Sequence, residues 1–291
     1  MLKRTASTLA LWALLVCVIF FGGPTGFSLL MLLLSIPASW EACMLLRKCG
    51  LRPSFCAVSV AAVFMFCAVE AASAFGMAAA AAAGLSFSFV AAAAAVSVLA
   101  DPYSDFPMKR ALPTLCVAAF VPFMLLWYAV VAVSFPGLEH AGLALAVWGV
   151  AAAKFSDIGG YLFGMLMGRR SLAPSVSPKK TLEGAAGGIM LSAAVSVAIF
   201  AGFRGLLPQE VPFWALAASG VAGGALMGAA AIVSDLLESV LKRRAGVKDS
   251  GATIPGIGGA LDLADSLLLT GPLAAFLGLF VAPMLLHFDL I

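Results

Sequence analysis

The chain is dominated by apolar runs, each about as long as a helix that crosses a membrane. About 20 apolar residues span the roughly 30 Å of hydrocarbon in a bilayer. Of the 291 residues, 63% are hydrophobic and 11% are charged, whereas a soluble domain has about 45–50% apolar and about 25% charged residues. These values exclude a soluble domain and predict an all-α, polytopic integral membrane protein with about nine transmembrane helices. The predicted spans are 6–22, 27–46, 54–75, 77–100, 111–134, 141–165, 185–203, 212–233 and 266–288.

The distribution of basic residues predicts how these spans are oriented. With a cytoplasmic N-terminus, the 17 Lys and Arg residues all fall on the cytoplasmic side, except Lys154 within a span and Arg204 on the outer side. This asymmetry follows the positive-inside rule. We expect residues 1–140 to form N-terminal transmembrane helices. Residues 141–291 are expected to form a C-terminal transmembrane catalytic region with polar loops on the cytoplasmic side.

The most polar segment of the chain runs from Ser234 to Ser266, between two apolar spans. If the eighth span continues as a helix past Val233, several polar side chains share one face, because residues three and four apart lie on the same side of a helix. These residues are Asp235, Glu238, Ser239 and Lys242. Asp262 and Asp265 are also three apart, and they would share a face at the start of the ninth span.

Positive charge and glycine separate these two groups of carboxylates. The basic residues are Lys242, Arg243, Arg244 and Lys248, and a glycine-rich loop follows from Gly251 to Gly259. Carboxylate oxygens are ligands that Mg²⁺ prefers, cations neutralise phosphates, and the backbone amides of such a loop bind anions. The segment therefore predicts a Mg²⁺–nucleotide site, and a solvated cytoplasmic loop is the alternative.

This segment does not match the common nucleotide-binding motifs. The sequence has no GxxxxGK[ST] P-loop, and its glycines follow no predicted strand, so neither Walker nor Rossmann geometry applies. The two histidines, His140 and His287, lie near predicted membrane ends. We therefore predict no histidine-based metal site or nucleophile. We also predict no nucleic-acid partner.

A second polar loop, from Gly168 to Gly184, carries four basic residues. Such clusters on the cytoplasmic face often contact anionic lipid head groups. However, Lys179, Lys180 and Thr181 immediately precede a predicted span, and free amides at a helix start bind phosphate. Phosphate binding and lipid contact are both consistent with this loop.

Two ionisable residues lie within the sixth predicted span. Lys154 and Asp157 are three residues apart, so their charged groups can meet on one helix face. Ionisable groups at such depth are costly and typically mark a functional site, while a structural ion pair is the alternative. In contrast, two glycine sets at helical spacing predict close packing of helices. These sets are Gly160, Gly164 and Gly168, and Gly220, Gly224 and Gly228.

Together, these motifs resemble the phosphatidate cytidylyltransferase (CDP-diacylglycerol synthase) family. The resemblance rests on fixed spacings across the last 140 or so residues. The matching positions are Asp157, Gly160-Tyr161, Gly164, Gly168-Arg169, Ser177 to Thr181, Glu183-Gly184, Ser239, Lys242-Arg243, Lys248-Asp249, Gly251, Pro255-Gly256, Gly258-Gly259, Leu261-Asp262 and Asp265. Two positions depart from the pattern, because Ile257 replaces the family's usual His and Leu263 its usual Arg.

The resemblance implies transfer of a cytidylyl group from CTP to phosphatidate, giving CDP-diacylglycerol and pyrophosphate. It also implies a bacterial-type inner membrane location, an active site that faces the cytoplasm, contact with membrane lipid, and a homodimer. Asp235, Asp262 and Asp265 are expected to bind Mg²⁺, as one ion or a pair, and to be catalytic together with Lys242. The expected substrate-binding residues are Asp157, Lys179, Lys180, Thr181, Glu183, Ser239, Arg243, Lys248 and Asp249.

Three other interpretations stay open at this stage. A related enzyme would use CTP with a different lipid, such as an archaeol-type or polyprenol substrate. A transporter would account for nine spans with buried Lys154 and Asp157, although the sequence shows no internal repeat of the kind that marks many transporters. An inactive paralogue would account for Ile257 and Leu263.

Overall fold

The computed structural model describes residue 10 and residues 12–75, 108–134, 139–202, 212–254 and 258–278. Within these residues the protein is helical, apart from one short hairpin. The helices are α1 (Gly23–Lys48), α2 (Phe55–Ala74), α3 (Met108–Phe120), α4 (Pro122–Val133), α5 (Glu139–Met167), α6 (Leu182–Gly202), α7 (Phe213–Arg244) and α8 (Ala260–Phe276). The hairpin joins β1 (Ser171–Ala173) to β2 (Ser177–Thr181) in antiparallel pairing.

Six helical segments of the described chain are long and apolar enough to cross a membrane. They are Trp12–Lys48, Phe55–Ala74, Leu112–Val133, Ala141–Met167, Leu182–Gly202 and Phe213–Arg244. The prediction of an all-α membrane protein is therefore confirmed. The count of nine spans and the cytoplasmic N-terminus stay predictions, and the fourth predicted span, 77–100, lies outside the described residues.

The first two predicted spans form one helical run in the structure, from Trp12 to Lys48. A π-helical turn, Val18–Gly22, and the start of α1 occupy the gap between the predicted spans 6–22 and 27–46. Gly23 adopts a φ of +56°, a conformation that glycine reaches without steric cost. Pro24 follows in the first turn of α1, where its missing N–H breaks no helical hydrogen bond. The expected break is thus accommodated within the helix.

The chain divides into two compact units, each built from separate stretches of sequence. Unit 1 comprises Met1–Leu143 and Val240–Asp265, and unit 2 comprises Ala144–Ser239 and Ser266–Ile291. Helices α5, α7 and α8 each begin in one unit and end in the other. The predicted boundary between residues 140 and 141 stays a prediction.

In unit 1, α1 packs against α2, α3 and α4. The buried side chains between these helices include Phe27, Val58 and Leu125. Ser54 joins the start of α2 to α3, because its N–H donates to Thr114 Oγ1 at 2.9 Å while its own Oγ accepts from the Ala57 N–H. This cap satisfies a backbone donor that the first turn of a helix otherwise leaves unpaired.

In unit 2, glycines allow α6 to approach α5 and α7 closely. A Cβ atom at Gly184 would lie 2.7 Å from the Gly160 carbonyl oxygen, and one at Gly224 would lie 2.6 Å from Ala193 Cα. Ser192 Oγ donates to the Gly224 carbonyl at 2.7 Å, which adds a polar contact between the helices. The packing role predicted for the second glycine set is confirmed. In the first set, Gly160 lies at the contact with α6, whereas Gly168 follows the end of α5.

Candidate active site

Helix α7 continues well past the apolar span, to Arg244. The shared polar face required a helix that continues past Val233, and α7 provides it. Within unit 2, Asp235 and Glu238 lie one turn apart, and each offers a carboxylate oxygen within 4.8 Å of the other. Ser239 Oγ donates to Asp235 Oδ1 at 3.4 Å. This end of α7 thus places two acidic side chains and a hydroxyl together.

Lys180 of β2 forms an ion pair with Asp235. Its Nζ lies 2.5 Å from Asp235 Oδ2, and both side chains are about one quarter exposed. The hairpin fixes the lysine, because Thr181 pairs with Ser171 across the strands. A strand was not predicted here, yet the predicted order of lysines followed by a helix start holds, since α6 begins at Leu182.

The charged pair of the sixth predicted span also meets in the structure. Lys154 Nζ lies 3.5 Å from Asp157 Oδ2 and donates to Ser266 Oγ at 2.8 Å. The i, i+3 spacing therefore predicted this contact correctly. Ser266, the first residue of the second stretch of unit 2, was not among the predicted site residues. Its hydroxyl became identifiable only from the fold.

In unit 1, Asp262 and Lys242 form a second pair of predicted site residues. Lys242 Nζ donates to Asp262 Oδ1 at 2.8 Å. Asp262 lies in the first turn of α8, and its Oδ2 accepts the Gly259 N–H at 2.8 Å. An acidic residue at a helix start and basic residues at a helix end both complement the helix dipole. The charges of Asp262 and Lys242 therefore also favour the two helix ends that carry them.

The described ends of the glycine-rich loop close on each other at a single antiparallel bridge. Ile254 and Gly258 exchange backbone hydrogen bonds of 2.9 and 3.1 Å. Gly258 has a φ of +127°, and a Cβ atom there would lie 2.8 Å from Asp262 Oδ2. Only glycine adopts this backbone conformation readily. Ile257, the position of the family's usual His, lies outside the described residues.

Sequence reasoning missed Glu41, a buried residue of α1 that contacts this loop within unit 1. Its side chain is 3% exposed. Glu41 Oε2 accepts from Ser250 Oγ and from the Leu261 N–H, each at 2.9 Å, and Oε1 accepts from Thr253 Oγ1. A glutamate inside the apolar run 27–46 was the available signal, because ionisable residues in such runs mark functional sites.

The contacts of Thr181 and Glu183 are local to the hairpin and the start of α6. Thr181 Oγ1 accepts the Gly184 N–H at 3.0 Å, which is an N-terminal cap. Glu183 Oε2 accepts the N–H groups of Arg169 and Arg170 at 3.0 and 3.2 Å. Both residues were predicted to bind substrate. These contacts give each of them a structural role, and substrate binding stays a prediction.

The remaining predicted substrate-binding residues lie at the surface. Arg243 donates to the Val247 carbonyl at 3.2 Å and caps the end of α7. The others are Lys179, Lys248 and Asp249, which are exposed. Leu263, the position of the family's usual Arg, continues α8 by donating its N–H to the Gly259 carbonyl.

Three lysine–aspartate pairs therefore result from the predicted residues, two in unit 2 and one in unit 1. The pairing brings cations that suit phosphate next to carboxylates that suit a hard divalent cation such as Mg²⁺. The donor set thus fits Mg²⁺ by its chemistry. Asp235 belongs to unit 2, whereas Asp262 and Asp265 belong to unit 1, and their joint role stays a prediction.

The chain is similar to a family model and to several individual proteins. A family model described as "Cytidylyltransferase family" matches residues 2–281. A phosphatidate cytidylyltransferase of Synechocystis sp. is 38% identical over 144 residues, which are 50% of this chain and 46% of that protein. One of Staphylococcus saprophyticus is 38% identical over 140 residues, which are 47% of this chain and 48% of that protein.

Another relative, the uncharacterized protein YnbB of Escherichia coli, is 39% identical over 133 residues, which are 46% of this chain and 42% of that protein. The matched stretch spans less than half the length of each of these relatives.

Proposed function

Because the chain belongs to the cytidylyltransferase family, we propose that it transfers a cytidylyl group from CTP to phosphatidate. The products are CDP-diacylglycerol and pyrophosphate. The relatives named phosphatidate cytidylyltransferase support this choice of lipid. The membrane-spanning helices support it as well, because phosphatidate is a component of the bilayer.

The chemistry requires little acid–base help from the protein. A phosphate oxygen of phosphatidate attacks the α-phosphorus of CTP and forms a new P–O bond. The bond from that phosphorus to the oxygen bridging to the β-phosphate breaks, and pyrophosphate leaves with the electron pair. A phosphomonoester has a second pKa of about 6, so the nucleophile is already largely ionised at neutral pH. No strong protein base is needed.

The main obstacle is the repulsion between two polyanions. Catalysis of phosphoryl transfer consists mainly of positioning and charge stabilisation. Lys180 and Lys242 would bind phosphate oxygens and lower that repulsion, and Arg243, Lys248 and Lys179 would add positive charge at the surface. Ser239 and Thr181 would hydrogen-bond phosphate. Asp157 would keep Lys154 oriented near the substrates.

We further propose that Asp235, Asp262 and Asp265 hold Mg²⁺. When bound, the ion supplies positive charge against the phosphate oxygens. The carboxylate pair of Asp235 and Glu238 supports this assignment on the side of unit 2. A cytoplasmic active site in a bacterial-type inner membrane is proposed with it, on the basis of the Lys and Arg distribution. A homodimer is proposed from the family resemblance.

One observation carries the proposal furthest. Two lysines expected to bind phosphate each pair with an aspartate expected to bind metal: Lys180 with Asp235, and Lys242 with Asp262. These pairs hold together both kinds of charge that a Mg²⁺–nucleotide needs. Both pairs are partly buried, whereas the ion pairs of a solvated loop are exposed and contribute little.

The decisive experiment is an assay on the purified, detergent-solubilised protein. CTP labelled at the α-phosphate is incubated with phosphatidate and Mg²⁺, and we expect label in the lipid together with release of pyrophosphate. Chelation with EDTA should abolish the transfer, and added Mg²⁺ should restore it. CTP labelled at the γ-phosphate serves as the control, because label from that position would indicate a lipid kinase.

Other outcomes of this assay, and a separate flux assay on the protein in vesicles, favour the alternatives. Transfer to an archaeol-type or polyprenol phosphate but not to phosphatidate would indicate a related enzyme with a different lipid substrate. Flux of a substrate across vesicles without nucleotide turnover would favour a transporter. If no lipid phosphate accepts label from a folded protein, the proposal is overturned in favour of an inactive paralogue.

A further inference from the structure

Glu41 is a buried acidic residue that the proposed reaction does not use directly. It lies on α1, 209 residues before Ser250, which immediately precedes the glycine-rich loop. Three donors of unit 1 converge on its carboxylate: the hydroxyls of Ser250 and Thr253 and the Leu261 N–H. A buried carboxylate of this kind is costly unless it is hydrogen-bonded, so these contacts hold both the residue and the loop.

The contact with Leu261 completes the start of α8. Gly259 immediately precedes α8 and has no side chain that could cap the helix. Glu41 instead accepts the Leu261 N–H at 2.9 Å, which is a donor that an N-cap side chain usually satisfies. Asp262 accepts the Gly259 N–H at 2.8 Å, as the third helical residue of a capping box does. Two carboxylates from distant segments therefore share one helix end.

The glycines of the loop fit around Glu41. A Cβ atom at Gly259 would lie 2.1 Å from Glu41 Oε2, and one at Gly251 would lie 2.3 Å from Oε1. Any larger residue at either position would displace the carboxylate. The loop that begins and ends with these two glycines was predicted to bind an anion through its backbone amides. In the structure, the Glu41 carboxylate occupies the space beside both glycines.

Ser250 connects Glu41 to Asp262. Its Oγ donates to Glu41 at 2.9 Å, while its N–H lies 3.4 Å from both carboxylate oxygens of Asp262. A shift of Glu41 would therefore move Ser250 and the first turn of α8 together. Both Ser250 and the first turn of α8 hold Asp262 in place.

We propose that Glu41 is a positioning residue for cytidylyl transfer, acting through Ser250 and the start of α8 on Asp262. This inference rests on the proposed function. Glu41 touches no substrate in this account. It sets the direction in which the Asp262 carboxylate points, and residues behind a ligand typically change metal affinity or activity about 10–100-fold when they are replaced.

The test compares Glu41→Gln with the parent protein and with Glu70→Gln. The Glu41→Gln substitution would keep the size of the side chain and one acceptor oxygen for Leu261. Glu70 of α2, which accepts from Thr25 Oγ1 at 3.0 Å in an exposed contact, provides a control glutamate in the same unit. We expect Glu41→Gln to raise the Mg²⁺ concentration for half-maximal transfer about 10-fold or more, with Glu70→Gln unchanged.

Hydrogen exchange at the start of α8 provides a readout that does not depend on activity. We expect the Leu261 amide to exchange about 10-fold faster in Glu41→Gln, because its acceptor is weakened. The proposal needs both effects. Unchanged Mg²⁺ dependence overturns it even with faster exchange, since Glu41 would then only stabilise the loop, and unchanged exchange overturns the route through α8.

The outcome also separates this inference from the proposed function. If the parent protein transfers no cytidylyl group, the proposed function fails, and the exchange measurement still decides whether Glu41 holds α8. Faster exchange in Glu41→Gln then supports the positioning contact, and equal exchange overturns it. Should a Glu41→Ala variant fail to fold, Glu41→Gln remains the informative substitution because it nearly preserves the packing.

Discussion

Lys180 Nζ lies 2.5 Å from Asp235 Oδ2, so a cation that suits phosphate neutralises an anion that suits a metal. Both side chains are about one quarter exposed. The Lys180 Nζ atom itself is buried, so the exposed part of that side chain is its apolar stem. The same relationship recurs between Lys242 and Asp262.

The Lys180–Asp235 pair predicts non-additive losses. We expect Lys180→Ala and Asp235→Ala each to lower kcat/KM for CTP by about 10²-fold, because residues that act as a unit lose most of their effect with the first substitution. The double variant should lose much less than the product of the two. Steady-state kinetics on all four proteins complete the cycle.

Lys179→Ala provides the comparison for this cycle. Neighbouring residues of a strand point to opposite faces, and Lys179 is exposed on β2. Its removal should therefore cost less than that of Lys180. Multiplying losses in the double variant would contradict the idea that Lys180 and Asp235 act together.

Asp262→Asn tests the assignment of Asp262 to the metal. We expect turnover to fall by at least about 10²-fold through the lost charge. The amide oxygen can still accept the Gly259 N–H, so the start of α8 should remain capped. Initial rates are measured on equal amounts of folded protein, with folding checked by size-exclusion chromatography, and an unchanged rate would refute the assignment.

The glycine packing of unit 2 predicts a stability effect that is separate from catalysis. At Gly224, an added Cβ would lie 2.5 Å from Ser196 Oγ and 2.6 Å from Ala193 Cα. Overpacking of this kind costs about 1–3 kcal/mol, so Gly224→Ala should lower the apparent Tm in detergent.

Gly202→Ala is the matched control for this substitution. It lies at the end of α6, where an added Cβ would meet no atom within 4 Å. We expect no loss of stability there, because alanine favours helix more than glycine does. Equal Tm values for Gly224→Ala and the parent would show that the helices can separate without cost.

Gly258 and Gly246 separate backbone strain from the orientation of Asp262. Both have positive φ, +127° and +70°, so alanine should destabilise the protein at either site. Only at Gly258 would the new Cβ lie close to Asp262 Oδ2, at 2.8 Å, whereas at Gly246 it would meet nothing within 4 Å.

We therefore expect Gly258→Ala to lower turnover by about 10- to 10²-fold, since small displacements of reacting groups are costly. Gly246→Ala should keep turnover near that of the parent. The readouts are initial rate per folded protein and apparent Tm. Equal turnover in the two variants would mean that Gly258 has no effect on Asp262.

Features set by neighbours along the chain could be predicted from the sequence. Long apolar runs predicted the membrane class, and the spacing of Lys154 and Asp157 predicted their contact within α5. The polar face predicted beyond Val233 requires a continuous helix there, and α7 continues to Arg244. The hairpin before α6 was missed, because Ser177-Pro178-Lys179-Lys180-Thr181 shows no alternation of apolar and polar residues of the kind that predicts strands.

Only the tertiary structure decided which distant segments meet. No local pattern relates Glu41 to Leu261, which is 220 positions further along the chain, or Lys154 to Ser266. Helical periodicity determines which residues share a face, because successive residues turn by a constant angle. Which faces then pack together depends on the shapes of whole helices. In this structure, the packing places the Glu41 carboxylate against Gly251 and Gly259.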